Sequence, residues 1–382
     1  MGAARRFPSA LQMLLLVSCG LALMLGPVMR DVLPARFLFD DGHVRAVIDN
    51  PGLAPEDPSF HVLANFYRTL GIATSPAIAS TLAIFLLVIA VFLAVSFSEW
   101  NRVGLVGAIL LGLTLGLGLV YLAQYTKELF SLLVTLSILL ALRVKNNWVR
   151  FPLVMAGPVM YGVLVRPYWL IIAALIPVVY LVVRKTTNPL VLIGCVVLAY
   201  VGLAIAFEVW RGEQLGATRE WVNLGRQDTE VASLISTPDF GSSYFAGVLA
   251  ILVVAGQMLV PVPLFAMADP YYVVAGLAIF GLWALVGHTL TSGRCRTDAG
   301  AAWLAAVLVS LFLVLVIFEP DYGSYIKHLT PFLPLFLALA PRRRRKQPEL
   351  HRQFAFDDEV SAGWEASPIH RAELTAIQEA SR

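Results

Sequence analysis

Charged residues are scarce in this chain. They make up 14% of its 382 positions, whereas hydrophobic residues make up 58%. A soluble fold of this size needs more polar side chains to cover its surface. The composition therefore excludes a soluble globular protein and indicates a chain that places much of its apolar surface against lipid.

Cysteines and nucleotide-binding motifs are also scarce. The three cysteines, Cys19, Cys195 and Cys295, lie far apart, and the first two fall inside apolar runs. That spacing offers neither a disulfide framework nor a metal cluster. No phosphate-binding glycine loop and no internal repeat is visible in the sequence, which argues against a pump driven by ATP.

Apolar runs dominate what is present. A helix needs roughly 17 to 25 apolar residues to cross a bilayer. Runs of that length start near Pro8, Pro76, Val103, Pro189, Tyr272 and Ala301, and shorter ones near Leu129, Phe151, Tyr168 and Leu329. The first run is too long for a signal peptide and is interpreted as an uncleaved span. We therefore predict an all-α, polytopic membrane helix bundle with about 10 transmembrane helices.

Basic residues predict the orientation, because cytoplasmic loops carry an excess of lysine and arginine. This bias places the short loops at Arg102, Arg143 and Arg184 in the cytoplasm, together with the RRRRK run at 342–346. Both termini are then predicted to be cytoplasmic. Residues 1–346 form the predicted transmembrane domain, with outward-facing loops 30–75 and 210–243. The polar stretch 347–382 is predicted to be a cytosolic, partly disordered tail.

The two halves of this topology join only if the run from Tyr244 to Ala268 begins and ends on the outer side. The run is apolar but is interrupted at Gly256, Gln257 and Pro261. Broken backbone at membrane depth occurs where protein or a water-filled cavity satisfies its polar groups. We predict a re-entrant or broken helical hairpin there. The alternative is that this run is one ordinary transmembrane span and that a neighbouring span has been predicted wrongly.

Basic residues on the outer side run against the positive-inside bias, and an anionic ligand such as a phosphate or diphosphate would explain them. The candidates for diphosphate binding are Arg166, Lys127, Arg211, Arg219 and Lys327. Arg166 could instead be an anchor at the membrane–water interface, and the side chain of Lys127 could simply snorkel to that interface.

Three of the outer arginines are regularly spaced. Arg211, Arg219 and Arg226 lie seven or eight residues apart, so they would share one face if they lay on a single helix. Ordinary pairing with Glu213, Glu220 and Glu230 is the alternative.

Acidic residues and one histidine fall on the same side. The candidates for general-base catalysis are Asp40 and Asp41 in FLFDDGH, Glu128 in QYTKELF, and His328 before LTPFLPLF. Each can accept a proton from a substrate hydroxyl within hydrogen-bond reach. The alternatives are solvated loop carboxylates and a histidine hydrogen-bonded at the membrane boundary.

Three short motifs carry a family resemblance. Arg166 in VRPYW, the pair Lys127–Glu128, and KHLTPFLPLF at 327–336 resemble the bacterial polymerases of lipid-linked repeat units, the Wzy or O-antigen polymerase type. The acidic loop at Asp40 and the late span rich in Pro and Leu are similar to the wider multispan GT-C glycosyltransferases. The short chain favours the polymerase type.

The resemblance implies glycosyl transfer on the outer face of the inner membrane, from a polyprenyl diphosphate-linked saccharide to a sugar hydroxyl. The basic residues would hold the diphosphate, and one of the acids or His328 would act as the base. No cofactor is expected, and no metal is required because the leaving group is activated; Asp40 and Asp41 are the pair that a divalent ion would use. The implied partners are a lipid-linked oligosaccharide, membrane lipid and a chain-length regulator protein, with no nucleic acid.

Other functions remain open. A GT-C transferase adding one sugar from a polyprenyl monophosphate would use the same parts. A flippase or secondary transporter would usually show repeated halves and charges in mid-span, and the sequence shows neither. A non-catalytic scaffold would have little need for basic residues on the outer side.

Overall fold

The computed structural model describes residues 9–53, 55, 57–224, 233–241 and 243–342. Every regular element in these ranges is helical. The α-helices are α1 (Ala10–Val32), α2 (Phe39–Asp49), α3 (Ser59–Thr69), α4 (Pro76–Ala94), α5 (Leu105–Tyr121), α6 (Glu128–Ala141), α7 (Asn147–Leu164), α8 (Trp169–Lys185), α9 (Pro189–Arg211), α10 (Ala217–Leu224), α11 (Tyr244–Leu259), α12 (Val262–Ala266), α13 (Pro270–Thr291), α14 (Arg294–Thr297), α15 (Ala299–Phe318), α16 (Tyr322–Leu329) and α17 (Leu333–Leu339). The predicted tail 347–382 and most of the RRRRK run lie outside the described residues.

Within the described residues, five helices are long and apolar enough to cross a membrane: α1, α4, α9, α13 and α15. Helices α5, α6 and α11 are apolar but shorter. This set is compatible with a multi-pass membrane protein. The last predicted run, from Leu329, is not one continuous α-helix. It begins with a short 3₁₀ segment, Thr330–Phe332, which separates α16 from α17. Pro331 and Pro334 each remove a backbone donor there and so disfavour a continuous helix.

The helices begin where the sequence supplies caps. The side chains of Asn146, Asn188, Asp269 and Asp298 accept hydrogen bonds from backbone N–H groups in the first turns of α7, α9, α13 and α15. Such caps satisfy donors that the helix itself leaves free. Proline follows the cap at the start of α9 and α13, where its missing N–H is harmless. Cap chemistry therefore fixes where these helices start.

Helix α15 lies at the centre of the bundle. Of its most apolar 18-residue window, 89% is buried, whereas the corresponding values for α1 and α9 are 22% and 17%. A helix that is apolar on every side is stable when other helices or lipid surround it. Trp303 of α15 stacks on Tyr180 of α8 with ring centroids 3.9 Å apart. The exposed apolar faces of α1 and α9 are the surfaces suited to lipid.

Several residues predicted to be cytoplasmic meet at one end of the bundle, here called the Arg143 end and defined by Arg143, Arg184 and Arg294. Arg184 donates to the carbonyls of Cys295 and Arg296, and Arg294 donates to that of Leu339. Arg143 donates to the carbonyl of Leu93, at the end of α4. These arginines satisfy carbonyls that helix ends leave free.

The opposite end, called the Glu128 end, is defined by the start of α6, the turn between α7 and α8, and α16. The predicted loop 30–75 lies at this end and contains α2 and α3, which pack on each other. The region is therefore more ordered than a plain loop. Asp40 of α2 contacts Lys327 of α16, and Asp57, which precedes α3, contacts Lys127 at the start of α6.

The run from Tyr244 to Ala268 is broken as predicted, because α11 ends before Pro261 and the short α12 follows. Ahead of the run, the N–H of Ile235 donates to the carbonyl of Pro320; after it, Arg36 lies over the ring of Tyr271. Both contacts belong to the Glu128 end, so the chain leaves and returns at the same end. Re-entrant insertion into a membrane stays a prediction.

A glycine allows α6 and α7 to pack closely. A Cβ atom on Gly157 would lie 2.3 Å from Oγ of Ser137 and 3.3 Å from Cα of Val134, whereas one on Gly116 meets nothing within 4 Å. We expect Gly157→Val to lower the free energy of unfolding by about 1–3 kcal/mol relative to Gly116→Val, because both variants share the change in helix propensity and only Gly157→Val adds overpacking. Thermal unfolding of the two variants in lipid nanodiscs measures this; equal losses would contradict the packing described.

Candidate functional site

A cluster of ionisable side chains lies at the Glu128 end, where four parts of the chain meet. Glu128 is the first residue of α6, and Arg166 lies in the turn between α7 and α8. Glu319 follows α15, and Lys327 and His328 lie in the last turn of α16. These residues, which span 200 positions of sequence, become neighbours in the fold.

Local sequence sets these positions. Pro167 follows Arg166 in the short turn, where its fixed φ suits a change of direction. Asp321 caps α16 by accepting from the N–H of Ser324 at 2.7 Å. The cap starts α16 directly after the end of α15, so the chain folds back and carries His328 towards Glu128.

Glu128 and His328 form a dyad. Nδ1 of His328 lies 2.7 Å from Oε1 of Glu128, whose side chain is 1% exposed. An ionised carboxylate only accepts hydrogen bonds, so Nδ1 carries the proton of this contact. In the neutral imidazole, Nε2 then presents its lone pair on the opposite side of the ring.

Arg166 lies on that opposite side. Its Nη1 donates to the hydroxyl of Tyr168 at 2.6 Å and lies 3.2 Å from Nε2 of His328. Among the described residues, Arg166 forms no ion pair with a carboxylate within 4 Å. A cavity of about 10 Å³, room for one water molecule, is lined by Glu128, Arg166, Tyr168 and His328.

Two lysines of the cluster are paired with aspartates. Nζ of Lys327 lies 2.7 Å from Oδ2 of Asp40, and Nζ of Lys127 lies 2.6 Å from Oδ2 of Asp57. Lys127 also lies over the ring of Phe60, 4.0 Å from its centroid. These pairs join α2 to the last turn of α16, and the segment before α3 to the start of α6.

Burial and pairing shift the pKa values of these aspartates and of Lys127. Burial alone would raise the pKa of Asp40, but the positive charges of Lys327 and Lys127 lower it below its usual value. Burial likewise opposes ionisation of Asp57, yet hydrogen bonds from Lys127 and Ser59 bring the pKa of Asp57 to about 2. Burial and the neighbouring Arg166 lower the pKa of Lys127. Both aspartates are therefore ionised at neutral pH.

The cluster holds six of the nine residues that the sequence predicted for the site: Asp40, Lys127, Glu128, Arg166, Lys327 and His328. Asp41 is directed elsewhere. Its Oδ2 lies 2.8 Å from Nε of Arg30 and 3.0 Å from Nε of Arg45, and its Oδ1 accepts from the N–H of Tyr125. These partners give Asp41 a structural role between α1, α2 and the segment before α6.

Arg211 and Arg219 do not lie on a single helix, so the arrangement in which the outer arginines share one helix face fails for this pair. Arg211 is the last residue of α9 and is exposed beside the ring of Trp210, outside the cluster. Gly212, with φ of 68°, and Gly216, with φ of 103°, end α9 and redirect the chain before α10. Arg226 lies outside the described residues.

Arg219 of α10 is fully buried next to the cluster. Its Nε donates to the carbonyl of Glu319 at 2.8 Å, while Nη1 and Nη2 have no hydrogen-bond partner among the described residues. Its partner is thus this carbonyl rather than Glu213 or Glu220. Burial lowers the pKa of Arg219 to about 10, so it stays charged at neutral pH.

Sequence reasoning missed Glu319. Its Oε1 lies 3.3 Å from Nε2 of His328, and its Oε2 accepts from the hydroxyl of Ser324 at 2.7 Å. No motif marks it, because the contact depends on the turn through Pro320 and on the Asp321 cap. A carboxylate directly after the most apolar helix was the available signal, since such a charge needs a partner.

A metal site at Asp40 and Asp41 finds no geometric support, because the two side chains turn to Lys327 and Arg30 respectively. Among the residues that the structure describes, no three His, Cys, Asp or Glu side chains converge closely enough to hold a metal ion.

No family model matches the chain, and no match was found among curated proteins or solved structures. Function is therefore argued from the chemistry of the cluster. An imidazole held by a buried carboxylate can take a proton at Nε2. A guanidinium without a carboxylate partner beside it can bind an oxyanion.

The dyad predicts a single tautomer of His328. In ¹⁵N NMR of protein with labelled histidine, above the pH at which the ring is protonated, we expect the proton on Nδ1. His328→Gln identifies the signals, and Glu128→Leu should abolish the preference because it removes the acceptor. Glu99→Leu, at the Arg143 end, is the control and should leave these signals unchanged. A wild-type proton on Nε2 would contradict the dyad.

Proposed function

We propose that this protein is a multispan glycosyltransferase of the repeat-unit polymerase type, acting on a polyprenyl diphosphate-linked saccharide. The proposal includes about ten membrane spans with a re-entrant hairpin at Tyr244–Ala268. It places the chain in a bacterial inner membrane with both termini in the cytoplasm and the Glu128 end on the outer face. The observation that carries it is the Glu128–His328 dyad facing Arg166, which forms no ion pair with a carboxylate among the described residues.

In the proposed reaction, Nε2 of His328 takes the proton of the acceptor sugar hydroxyl. The hydroxyl oxygen forms a bond to the anomeric carbon of the donor, and the bond from that carbon to the diphosphate oxygen breaks. The electron pair leaves with the diphosphate. Glu128 keeps the imidazole oriented and stabilises its positive charge, in the role that a carboxylate plays beside a catalytic histidine.

Arg166 would bind the departing phosphate and stabilise its growing negative charge. Lys127, Lys327 and Arg219 lie near enough to add positive potential. Because Asp57 and Asp40 hold the two lysines, Arg166 is the cation most readily available to the ligand. Arg211 has no place in this site, since its side chain is exposed outside the cluster.

The cavity beside Arg166 has room for a water molecule and not for a sugar. The proposal therefore requires α2 and α3 to move away from α16 and from the start of α6 when substrate binds. The Lys327–Asp40 and Lys127–Asp57 pairs are the contacts that this movement would break. A flippase or transporter is less well supported, because the ionisable cluster lies at one end of the bundle.

A transferase that adds one sugar from a polyprenyl monophosphate is the second candidate. One observation favours it: Arg166 is the one guanidinium in contact with His328 among the described residues, and one guanidinium matches a single phosphate group. The two candidates share the base and the binding arginine. They differ in the product that accumulates when the protein is absent.

Complementation of a strain lacking this chain tests the proposal. Without the protein, single repeat units should accumulate on carrier lipid or lipid A in place of a polysaccharide ladder on a gel. Wild type should restore the ladder. Arg166→Ala should lower polymerisation by about 10²-fold, because it removes a charge-assisted contact to the leaving group. Equal protein levels in the membrane are required for the comparison.

Arg143→Ala is the matched control, since it removes an arginine at the opposite end of the bundle and should restore the ladder. Long chains that lack one sugar would favour the monophosphate-dependent transferase. Unchanged glycans in the deletion strain would overturn glycosyl transfer.

A further inference from the structure

His328 is placed between two groups of opposite charge. Its Nε2 lies 3.2 Å from Nη1 of Arg166 and 3.3 Å from Oε1 of Glu319. Its Nδ1 is already engaged by Glu128 at 2.7 Å. Nε2 can form one hydrogen bond, either with the donor Arg166 or with the acceptor Glu319.

The two contacts exclude each other chemically. A neutral imidazole with its proton on Nδ1 can accept at Nε2 from Arg166 and has nothing to donate to Glu319. An imidazolium can donate from Nε2 to Glu319 and can no longer accept from Arg166. Because the two distances are nearly equal, protonation exchanges one hydrogen bond for the other with little movement.

Glu319 is held in place independently of His328. Its Oε2 accepts from the hydroxyl of Ser324, and its main-chain carbonyl accepts from Nε of Arg219. Its side chain is 4% exposed. A buried carboxylate fixed in this way is prepared to receive an N–H donor without reorganising.

Other charged or titratable groups face His328 from the elements packed around it. They are Glu128 from α6, Tyr161 from α7, Arg166 and Tyr168 from the α7–α8 turn, Glu319 after α15, and Lys327 beside it on α16. Lys327 is engaged by Asp40. Of these, Arg166 and Glu319 are the two that contact Nε2.

We propose that Glu319 is a positioning residue that receives the protonated His328 and thereby releases Arg166 to the departing phosphate. This inference rests on the proposed glycosyl transfer. The proton moves from the acceptor hydroxyl to Nε2 while the bond to the anomeric carbon forms and the bond to the diphosphate breaks. Arg166 becomes available as negative charge develops on the phosphate oxygen. When the products leave, the proton passes from Nε2 to water and Arg166 returns.

The test is the titration of His328 in purified full-length protein in nanodiscs, followed by ¹⁵N NMR without substrate. Glu319→Gln removes a negative charge beside Nε2, so the midpoint of the titration should move to lower pH by about one unit. Arg166→Gln removes a positive charge and should move it to higher pH. Ser324→Ala, which leaves the charge of Glu319 in place, should cause a much smaller change.

The pH dependence of sugar transfer supplies the second measurement. In Glu319→Gln the acidic limb of kcat should move to lower pH with the NMR midpoint, while the plateau falls at least about tenfold. A purely structural residue would lower kcat equally at every pH. A midpoint unchanged in Glu319→Gln would overturn the proposal. If that variant does not fold, Glu319→Asp, which draws the carboxylate away from Nε2, takes its place; it should move the midpoint to lower pH by a smaller amount, and no movement would overturn the proposal. Because the titration needs no substrate, failure of glycosyl transfer itself shows separately, as absent activity in wild type.

Discussion

The arrangement at the Glu128 end depends on one constraint: a buried carboxylate at the start of an apolar helix needs a partner. Glu128 is 1% exposed, and leaving its charge unpaired there would be strongly destabilising. The N-terminus of α6 favours a negative charge through its unsatisfied N–H groups. His328 supplies the remaining partner, and this requires α16 to turn back from the end of α15. The Asp321 cap starts this turn, and the contact between His328 and Glu319 follows from it.

Arg166 is engaged differently from the arginines at the Arg143 end. At the Arg143 end, Arg143, Arg184 and Arg294 donate to main-chain carbonyls, so their charges complete helix ends. At the Glu128 end, Arg166 is directed to a histidine and a tyrosine. A guanidinium that contacts a histidine and a tyrosine can still bind an anionic ligand, whereas one that donates to main-chain carbonyls contributes to stability. This difference supports placing the chemistry at a single end.

Much of this arrangement was available from the sequence. The ten apolar runs all contain helices, although in the part of the chain that the structure describes five helices are long and apolar enough by themselves to cross a membrane. Arg166, Glu128 and His328 could be named because charges beside apolar runs are few and need reasons. Their pairing could not be deduced, since the contact joins positions 200 residues apart. Glu319 was missed because a turn creates its contact, and Arg211 was misplaced because two glycines with positive φ separate it from Arg219.

We propose that Arg166 and the Glu128–His328 dyad form one site for a lipid-linked diphosphate sugar. A cryo-EM structure of the protein in lipid nanodiscs, with a polyprenyl diphosphate saccharide bound, would show this site. We expect phosphate oxygens within hydrogen-bond distance of Arg166, and Nδ1 of His328 still in contact with Glu128. A diphosphate bound at the Arg143 end, or away from Arg166, would contradict it.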